Sequence, residues 1–329
     1  MDRWSENLSR NAVIKGLLAF HATFFIVFSV NICVALGCYL YPSKVLALIV
    51  LPYLTYTNTF GRHELKDGAR WLPFSKHFIL FKPCREFLRL QFLKTSPKEL
   101  NDADSKPNAQ FIIAIFPHGT SCDFRMLMDG MLGEVLPHTH SQIRTLTASI
   151  LFRIPVVREF GLWTGCIDAR RKVAERALDN GRSLMVLPGG EAEQIRTQYG
   201  KERVYLSRRK GFIKLAIRKN VPVVPVYVFG SSDAYSTSSF LMGPRMWLQK
   251  KFAICIPIAF GFCSSLFCPL PKQTTIVFGK PLLFKVKEMS MPTEKELNDA
   301  HSLFCKELIR TFDDAKADLG YGDRELEIM

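Results

Sequence analysis

The sequence lacks the cysteine and histidine patterns that hold metal ions or build disulfide frameworks. Nine cysteines are scattered over 329 residues without a Cys-x-x-Cys motif, and only Cys263 and Cys268 stand as a loose pair. An odd, dispersed set of this kind predicts reduced thiols, and the equally dispersed histidines give no zinc pattern. We therefore expect chemistry without a metal or other cofactor, in a domain that faces the cytosol.

The sequence also lacks a nucleic-acid-binding signature, although its formal net charge is +14. The basic residues are scattered or occur in short runs such as SRRKGFIKLAIRK, and there is no long basic tail. A charge distributed in this way fits an anionic membrane surface and phosphate-bearing substrates better than nucleic acid. We predict no nucleic-acid partner.

No charged residue lies between Leu17 and Leu40. This run is long enough to cross a bilayer, which takes about 20 residues, and too long for the apolar part of a signal peptide. After YPSK at 41–44 a shorter apolar run follows, which fits a second span, a re-entrant leg or an interfacial segment. Positive charge on both flanks predicts a hairpin with both ends in the cytoplasm.

Changes of composition divide the chain into three regions. We assign residues 1–60 to a membrane anchor of one or two spans, 61–110 to an amphipathic and linker region, and 111–329 to the domain that carries the chemistry. Within the second region, FKPCREFLRLQFLKT predicts an amphipathic helix that lies on the bilayer. The polar stretch 96–108 predicts a solvated linker.

From residue 111 onward, apolar runs alternate with helical patterns. Strands are predicted for QFIIAIF, IRTLTAS, SLMVL, VPVVPVYVFG and TTIVFG, and helices for VAERALDNG and RKGFIKLAIRKN. This alternation predicts an α/β fold with a mostly parallel sheet and flanking helices. A further apolar run at 252–270 contains two prolines and predicts a buried or membrane-dipping segment.

The first of these strands ends at a histidine. Pro117, His118 and Gly119 follow the apolar run directly, and Asp123 lies five residues beyond the histidine. In open α/β sheets, ligands bind at the edge where such strands end. A carboxylate beside an imidazole fixes its tautomer and raises its basicity, which suits a general base acting on a hydroxyl. The alternative interpretation is a histidine that caps a helix.

Two further segments carry polar groups toward the same edge. LPGGEAEQI places Gly189 and Gly190 after a strand, where the backbone can approach a ligand, and Glu193 could reach a polar acceptor. The alternative is a helix whose first turn carries acids for dipole reasons. Lys210, Lys214 and Arg218 share a helix face and suit the phosphates of a nucleotide-like thioester carrier, unless that face is merely solvated.

Together these segments resemble the diacylglycerol acyltransferase type 2 family, which includes monoacylglycerol and wax-alcohol acyltransferases. IFPHG resembles the family's His-Pro-His-Gly motif with Phe116 at its first position, and LPGGEAEQI resembles its Gly-Gly-x-x-Glu block. FRIPVVREFGLWTGCIDA and RRKGFIKLAIRKNVPVVPVYVFG are similar to its Arg-Met-Pro-x-x-Arg-Glu and Arg-Lys-Gly-Phe segments. The resemblance runs from about Tyr56 to Leu319 with the blocks in the same order.

The resemblance implies an endoplasmic-reticulum enzyme with an N-terminal membrane hairpin that moves a fatty acyl group from acyl-CoA to a hydroxyl. His118 falls on the family's catalytic histidine and Glu193 on its glutamate. The substrate-binding positions that the resemblance implies are Pro117, Gly119, Gly189, Gly190, Arg209, Lys210 and Gly211. Acyl-CoA is then a co-substrate, and the other partners are a neutral glycerolipid or long-chain alcohol and membrane lipids.

We expect diacylglycerol as the acceptor and triacylglycerol as the product. Monoacylglycerol, a fatty alcohol and a lysophospholipid are the alternatives, the last because Asp123 matches the aspartate of the wider glycerolipid acyltransferases. The sequence has no Gly-x-Ser-x-Gly elbow of the hydrolases, and a membrane-anchored lipid-binding protein is the non-enzyme alternative. The expected location is the endoplasmic reticulum membrane, with the lipid-droplet surface as a second location, and a homo-oligomer is left open.

Overall fold

The computed structural model describes residues 8–252 and 255–329. Helices and strands alternate along most of the chain. The helices are α1 Arg10–Leu40, α2 Pro42–Val45, α3 Leu51–Asn58, α4 Leu72–His77, α5 Phe81–Leu88, α6 Pro97–Asp104, α7 Asp123–Met128, α8 Val157–Trp163, α9 Arg171–Asp179, α10 Gly190–Gln194, α11 Gly211–Lys219, α12 Met242–Phe252 and α13 Glu294–Lys316. The strands are β1 Gln91–Lys94, β2 Ile112–Phe116, β3 Ile143–Thr147, β4 Cys166–Asp168, β5 Ser183–Val186, β6 Glu202–Val204, β7 Val223–Phe229, β8 Ser236–Thr237, β9 Ala259–Phe260, β10 Thr275–Phe278 and β11 Leu326–Ile328.

Seven of the strands form the central sheet, in the order β1-β10-β7-β2-β5-β3-β4. The five strands from β7 to β4 run parallel to one another, and β10 pairs with β7 in the antiparallel sense. All the strands predicted from residue 111 onward are present, and the α/β fold with a mostly parallel sheet is confirmed. Because β2 has neighbours on both sides, its five residues are completely buried.

Helices cover both faces of this sheet. Along β2, Ile112, Ala114 and Phe116 pack in one apolar core with residues of α9, α11 and α13. Ile113 and Ile115 point the other way, into a second core shared with α1, α5 and α7. The alternation follows from the two-residue period of a strand, which sends successive side chains to opposite faces. The result is a three-layer arrangement with the sheet between two layers of helices.

Two predictions for residues 81–108 were wrong. The amphipathic helix ends at Leu88, and residues 91–94 form strand β1 at the edge of the sheet. The apolar face of α5 packs against α1, with the Phe20 and Phe87 rings 5.7 Å apart, instead of lying on a bilayer. The stretch predicted as a solvated linker contains α6, whose Asp104 is buried and accepts hydrogen bonds from His138 and Thr139.

The predicted apolar anchor forms a helical hairpin. Helix α1 is 31 residues long, has a mean hydropathy of 2.1 over its most apolar 18-residue window, and is long enough to cross a membrane. The second apolar run is also helical, as α2, a π-helical turn at Leu46–Val50 and α3. Among the described residues, α1 is the one helix that meets the length and hydropathy expected of a span.

Candidate active site

Three neighbouring parallel strands deliver the candidate residues to one edge of the sheet. His118 follows the end of β2, Gly189 follows the end of β5, and Ser231 follows the end of β7. The strand β2 lies between the other two, so the histidine is at the centre of this edge. Such an edge is where open α/β sheets bind ligands, because the loops after adjacent strands converge there.

The predicted glutamate holds the histidine loop by its backbone. One carboxylate oxygen of Glu193, Oε1, accepts a hydrogen bond from the backbone N–H of His118. The other, Oε2, accepts from the backbone N–H of Tyr205 at 2.6 Å. The neighbouring Gln194 donates from Nε2 to the carbonyl of Thr120 at 2.5 Å. Helix α10 is therefore bonded to the loop at His118 and at the second residue after it.

Glycines allow these turns to approach one another closely. A Cβ added at Gly189 would lie 2.4 Å from Cδ of Glu193, so the glutamate side chain crosses the space that any other residue would fill. A Cβ at Gly119 would lie 2.2 Å from Oγ of Ser231, and Gly119 has a φ of +67°. Gly190, with a φ of +50°, turns the chain into α10. The positions of these predicted glycines thus have direct steric reasons.

The imidazole of His118 is held in one tautomer. Its Nδ1 lies 3.1 Å from the carbonyl oxygen of Gly119, which can only accept, so Nδ1 carries the proton and donates. Nε2 is then left with a free lone pair. Burial lowers the pKa of His118 below its ordinary value, although the Gly119 carbonyl acts in the opposite direction. A neutral imidazole with an unprotonated Nε2 is the form that a general base requires.

Asp123 is bonded to hydroxyl groups in this structure. Its Oδ2 accepts from Oγ of Ser121 and from the hydroxyl of the buried Tyr235, the latter at 3.0 Å. Among the described contacts there is no hydrogen bond between Asp123 and the ring of His118, which faces Gly119 instead. Burial raises the pKa of Asp123, and the two hydroxyl donors lower it. The predicted orientation of His118 by Asp123 thus requires a rearrangement and stays a prediction.

The basic segment reaches the site mainly through Arg209. Its Nη2 donates to the carbonyl of Gly189 at 3.3 Å, and its guanidinium lies 5.2 Å from the ring centre of Tyr205. Arg196 lies at 5.0 Å from the same ring. Both guanidinium groups therefore make cation–π contacts with Tyr205, whose backbone N–H donates to Glu193.

The helix face predicted to bind phosphates is partly occupied by protein contacts. Arg218 pairs with Glu175 at 3.4 Å, and Nζ of Lys210 donates to Asn298 at 2.6 Å. Lys214 is exposed, and Gly211 is the first residue of α11. The i, i+4, i+8 spacing placed these residues on one helix but did not show that neighbouring helices supply acidic and amide partners. The phosphate-binding role of Lys210, Lys214 and Arg218 stays a prediction.

The family model described as diacylglycerol acyltransferase matches residues 38–329. The chain belongs to this family. The match covers the second leg of the hairpin, the whole sheet and each of the candidate residues. It confirms the resemblance drawn from the IFPHG and LPGGEAEQI segments, and it makes the chain an acyltransferase and not merely a lipid-binding protein.

Individual relatives of this acyltransferase include enzymes from animals and a fungus. Diacylglycerol O-acyltransferase 2 of Xenopus tropicalis is 29% identical over 318 residues, which cover 90% of this chain and 84% of the relative. The protein of the same name from Mus musculus is 28% identical over 297 residues, covering 85% and 73%. Diacylglycerol O-acyltransferase 1 of Eremothecium gossypii is 33% identical over 190 residues, covering 54% and 41%.

Solved structures are also similar to this acyltransferase. One of them is the 1-acyl-sn-glycerophosphate (LPA) acyltransferase PlsC from Thermotoga maritima, with a TM-score of 0.43 and 15% sequence identity. The alignment covers 91% of this chain and 96% of that chain.

A covalent route through the cysteine near His118 is not favoured in this acyltransferase. Burial raises the pKa of the Cys122 thiol far above its ordinary value, which opposes the thiolate that would attack a thioester. Among the described residues, no group of three or more His, Cys, Asp or Glu side chains could hold a metal ion. The expectation of chemistry without a metal stays a prediction.

Tyr205, Gln194 and Tyr235 are contacts that the sequence analysis missed. The backbone N–H of Tyr205 bonds to Glu193, Gln194 bonds to the carbonyl of Thr120 in the loop that carries His118, and the hydroxyl of Tyr235 bonds to Asp123. The acid-rich start of α10 marked Glu193, but nothing in the sequence indicated which backbone groups its oxygens bind.

Proposed function

We propose that this acyltransferase transfers a fatty acyl group from acyl-CoA to the free hydroxyl of diacylglycerol and forms triacylglycerol. The observation that carries the proposal is the arrangement of His118, whose Nε2 is free to accept a proton at the ligand-binding edge of the sheet. Family membership and the diacylglycerol acyltransferases among the relatives support the acceptor. The apolar helix α1 supports a membrane location, which we assign to the endoplasmic reticulum with the sheet on the cytosolic side.

In the proposed reaction, Nε2 of His118 takes the proton of the acceptor hydroxyl as the oxygen attacks the thioester carbonyl. The carbon–sulfur bond breaks, the ester forms, and coenzyme A leaves as a thiolate that recovers the proton from the imidazolium. Backbone N–H groups of the turn after His118 stabilise the negative oxygen of the tetrahedral intermediate. The reaction is balanced without any other reactant.

The surrounding residues have separate roles in this proposal. Glu193 positions the His118 loop through the backbone, in place of the direct contact with the acceptor that the sequence suggested. Asp123 turns to the imidazole once substrate is bound, since catalytic hydrogen bonds often form fully only in the substrate complex. Arg209 binds a phosphate of acyl-CoA, because its Nε is buried without a partner among the described residues.

The experiment is an acyl-transfer assay in microsomes from cells without their own neutral-lipid acyltransferases. Labelled oleoyl-CoA is supplied with diacylglycerol, monoacylglycerol, fatty alcohol or lysophosphatidate. We expect labelled triacylglycerol, and a loss of about 10²–10⁴-fold in His118→Ala, since that is the usual contribution of a general base. The matched control is His138→Ala, an exposed histidine that precedes β3 and so lies toward the opposite edge of the sheet.

The acceptor that gives a His118-dependent product decides between the candidates. A phospholipid product would replace diacylglycerol by a lysophospholipid, the acceptor class that the position of Asp123 favours. A product from monoacylglycerol or fatty alcohol alone would likewise correct the acceptor. Equal turnover by His118→Ala and wild type would show that His118 is not the base.

A further inference from the structure

A segment between β7 and β10 extends the structure beyond the sheet. We call residues 236–252 and 255–267 the arm; it contains β8, α12, β9 and a 3₁₀ turn at Phe262–Ser264. The arm begins directly after Tyr235, which bonds to Asp123. The chain contains no aspartate or glutamate from Ala234 to Lys287, and within the arm the charged side chains are Arg245, Lys250 and Lys251. The arm therefore carries a net positive charge and has no acidic side chain of its own.

The arm exposes several large apolar side chains. The exposed fractions are 67% for Phe240, 55% for Trp247, 53% for Phe252 and 59% for Leu266. Lys251 lies with Nζ 5.0 Å from the Trp247 ring centre and 5.4 Å from that of Phe252. An apolar surface mixed with lysines in this way is typical of contacts with a membrane interface, where aromatic rings and ammonium groups share the headgroup region.

The internal conformation of the arm is held by its buried arginine. Arg245 donates from Nε to the carbonyl of Ile256 at 2.7 Å and from Nη1 to the carbonyl of Ser238 at 2.9 Å. These bonds connect α12 to the segments on both sides, and β8 pairs with β9 next to them. The outward position of Trp247 and Phe252 is thus part of an ordered element.

The arm also contacts the apolar helix α1. The hydroxyl of Ser265 donates to Nε2 of His21 at 2.9 Å, since Nδ1 of that histidine faces the Leu17 carbonyl. The ring of Phe267 lies 4.7 Å from that of Phe24 and 5.8 Å from that of Phe28. The end of the arm therefore lies against the N-terminal half of the helix that is long enough to cross the bilayer, which keeps the arm beside the membrane.

We propose that the arm is a second membrane contact, which inserts its exposed aromatic side chains into the headgroup region of an anionic bilayer. The lysines select anionic lipids by charge, and the aromatic rings supply the apolar contact. The acid-free composition, the ordered exposure and the continuity with α1 together favour a lipid surface over a protein partner. In this position the arm places the Tyr235–Asp123 side of the site next to the membrane that holds the acceptor.

The test uses the full-length protein in vesicles of phosphatidylcholine with phosphatidylserine. The fluorescence of Trp247 is obtained as the difference between wild type and Trp247→Phe. We expect lipids brominated close to the headgroup to quench this component about twofold or more, because interfacial residues lie about 5–10 Å deep, and aqueous iodide to quench it weakly. Quenching by iodide alone would overturn the proposal. Quenching by neither reagent would overturn it too, and would indicate cover by another protein or a second copy.

A pair of charge reversals tests the choice of lipid. Lys250→Glu with Lys251→Glu should reduce quenching by brominated lipid about twofold or more in anionic vesicles and leave it unchanged in vesicles of phosphatidylcholine alone. The control is Lys295→Glu with Lys306→Glu, which changes the charge equally on exposed positions of α13. An equal loss of quenching in both double variants would show a general effect of charge and contradict the arm's role. Neither readout requires turnover, so the result is independent of the proposed acyl transfer.

Discussion

Of the two carboxylates near His118, Glu193 is buried and Asp123 is half-buried, and they are bonded in different ways. Glu193 accepts from two backbone N–H groups, those of His118 and Tyr205, and its burial is nearly complete. Asp123 accepts from two side-chain hydroxyls, those of Ser121 and Tyr235. A carboxylate bonded to backbone holds a loop in one position, whereas one bonded to hydroxyls can exchange partners by side-chain rotation alone. The first arrangement suits positioning, and the second suits a change on substrate binding.

Burial affects the protonation of both groups. It raises the pKa of Glu193 to about 7, even though the two backbone donors and Arg209 act in the opposite direction. It raises the pKa of Asp123 as well, against its hydroxyl donors. The carboxylate form of Glu193 is needed to accept from both N–H groups, so the loop is held most firmly at neutral and higher pH.

Among the substitutions that test this comparison, Gly189→Ala is expected to lower activity the most. The added Cβ would lie 2.4 Å from Cδ of Glu193 and would displace its side chain, while the φ of −60° at Gly189 is compatible with alanine. Two partly buried backbone donors then lose their partner at about 1–3 kcal/mol each, and we expect roughly a hundredfold lower kcat/KM. Gly243→Ala, which meets no atom within 4 Å, is the matched control. Wild-type activity in Gly189→Ala would contradict the role of Glu193.

A smaller loss is expected from Asp123→Asn. In the free enzyme Asp123 makes no hydrogen bond to the imidazole, and the proposed bond forms only once substrate is bound. Because the substitution weakens that later bond, it should lower kcat about 10- to 100-fold and affect KM little. Steady-state kinetics with diacylglycerol and acyl-CoA separate the two constants. A purely higher KM would instead indicate that Asp123 binds substrate, and unchanged kinetics would remove it from the mechanism.

The smallest effect is expected from Tyr235→Phe. The substitution removes one hydroxyl donor from Asp123 and leaves that of Ser121, with little change in buried volume. We expect a two- to tenfold lower kcat, about the contribution of one hydrogen bond. The double variant with Asp123→Asn should be no slower than Asp123→Asn alone, because Tyr235 acts through Asp123. Additive losses would show that Tyr235 acts on something else.

The strands and the location of the site were predictable because both depend on local features. The apolar runs of β2, β5 and β7, and the Pro117, Gly119 and Gly189 turns after them, are visible in the sequence and sufficed to place His118 at a sheet edge. β1 was missed because its four residues continue the amphipathic pattern of α5, and only pairing with β10 makes them a strand. Tertiary pairing overrides local preference at such places.

The contacts of the carboxylates were not predictable in the same way. Glu193 bonds to His118, 75 positions away, and Asp123 bonds to Tyr235, 112 positions away. The sequence spacing of His118 and Asp123 suggested a direct pair, but the left-handed backbone at Cys122 begins α7 so that Asp123 meets the β7 loop. A spacing along the chain gives proximity, and the direction of a side chain depends on the turn between the two residues.

The most direct test of the positioning role of Glu193 is the pH dependence of kcat/KM in wild type and Glu193→Gln. Ionisation of Glu193 should make wild-type activity rise with pH through about 7. The Glu193→Gln enzyme should be slower, with its acid limb moved to lower pH, where only His118, whose pKa is lowered by burial, still titrates. An acid limb at the same pH in both enzymes would contradict the assignment, because the titrating group would then not be Glu193.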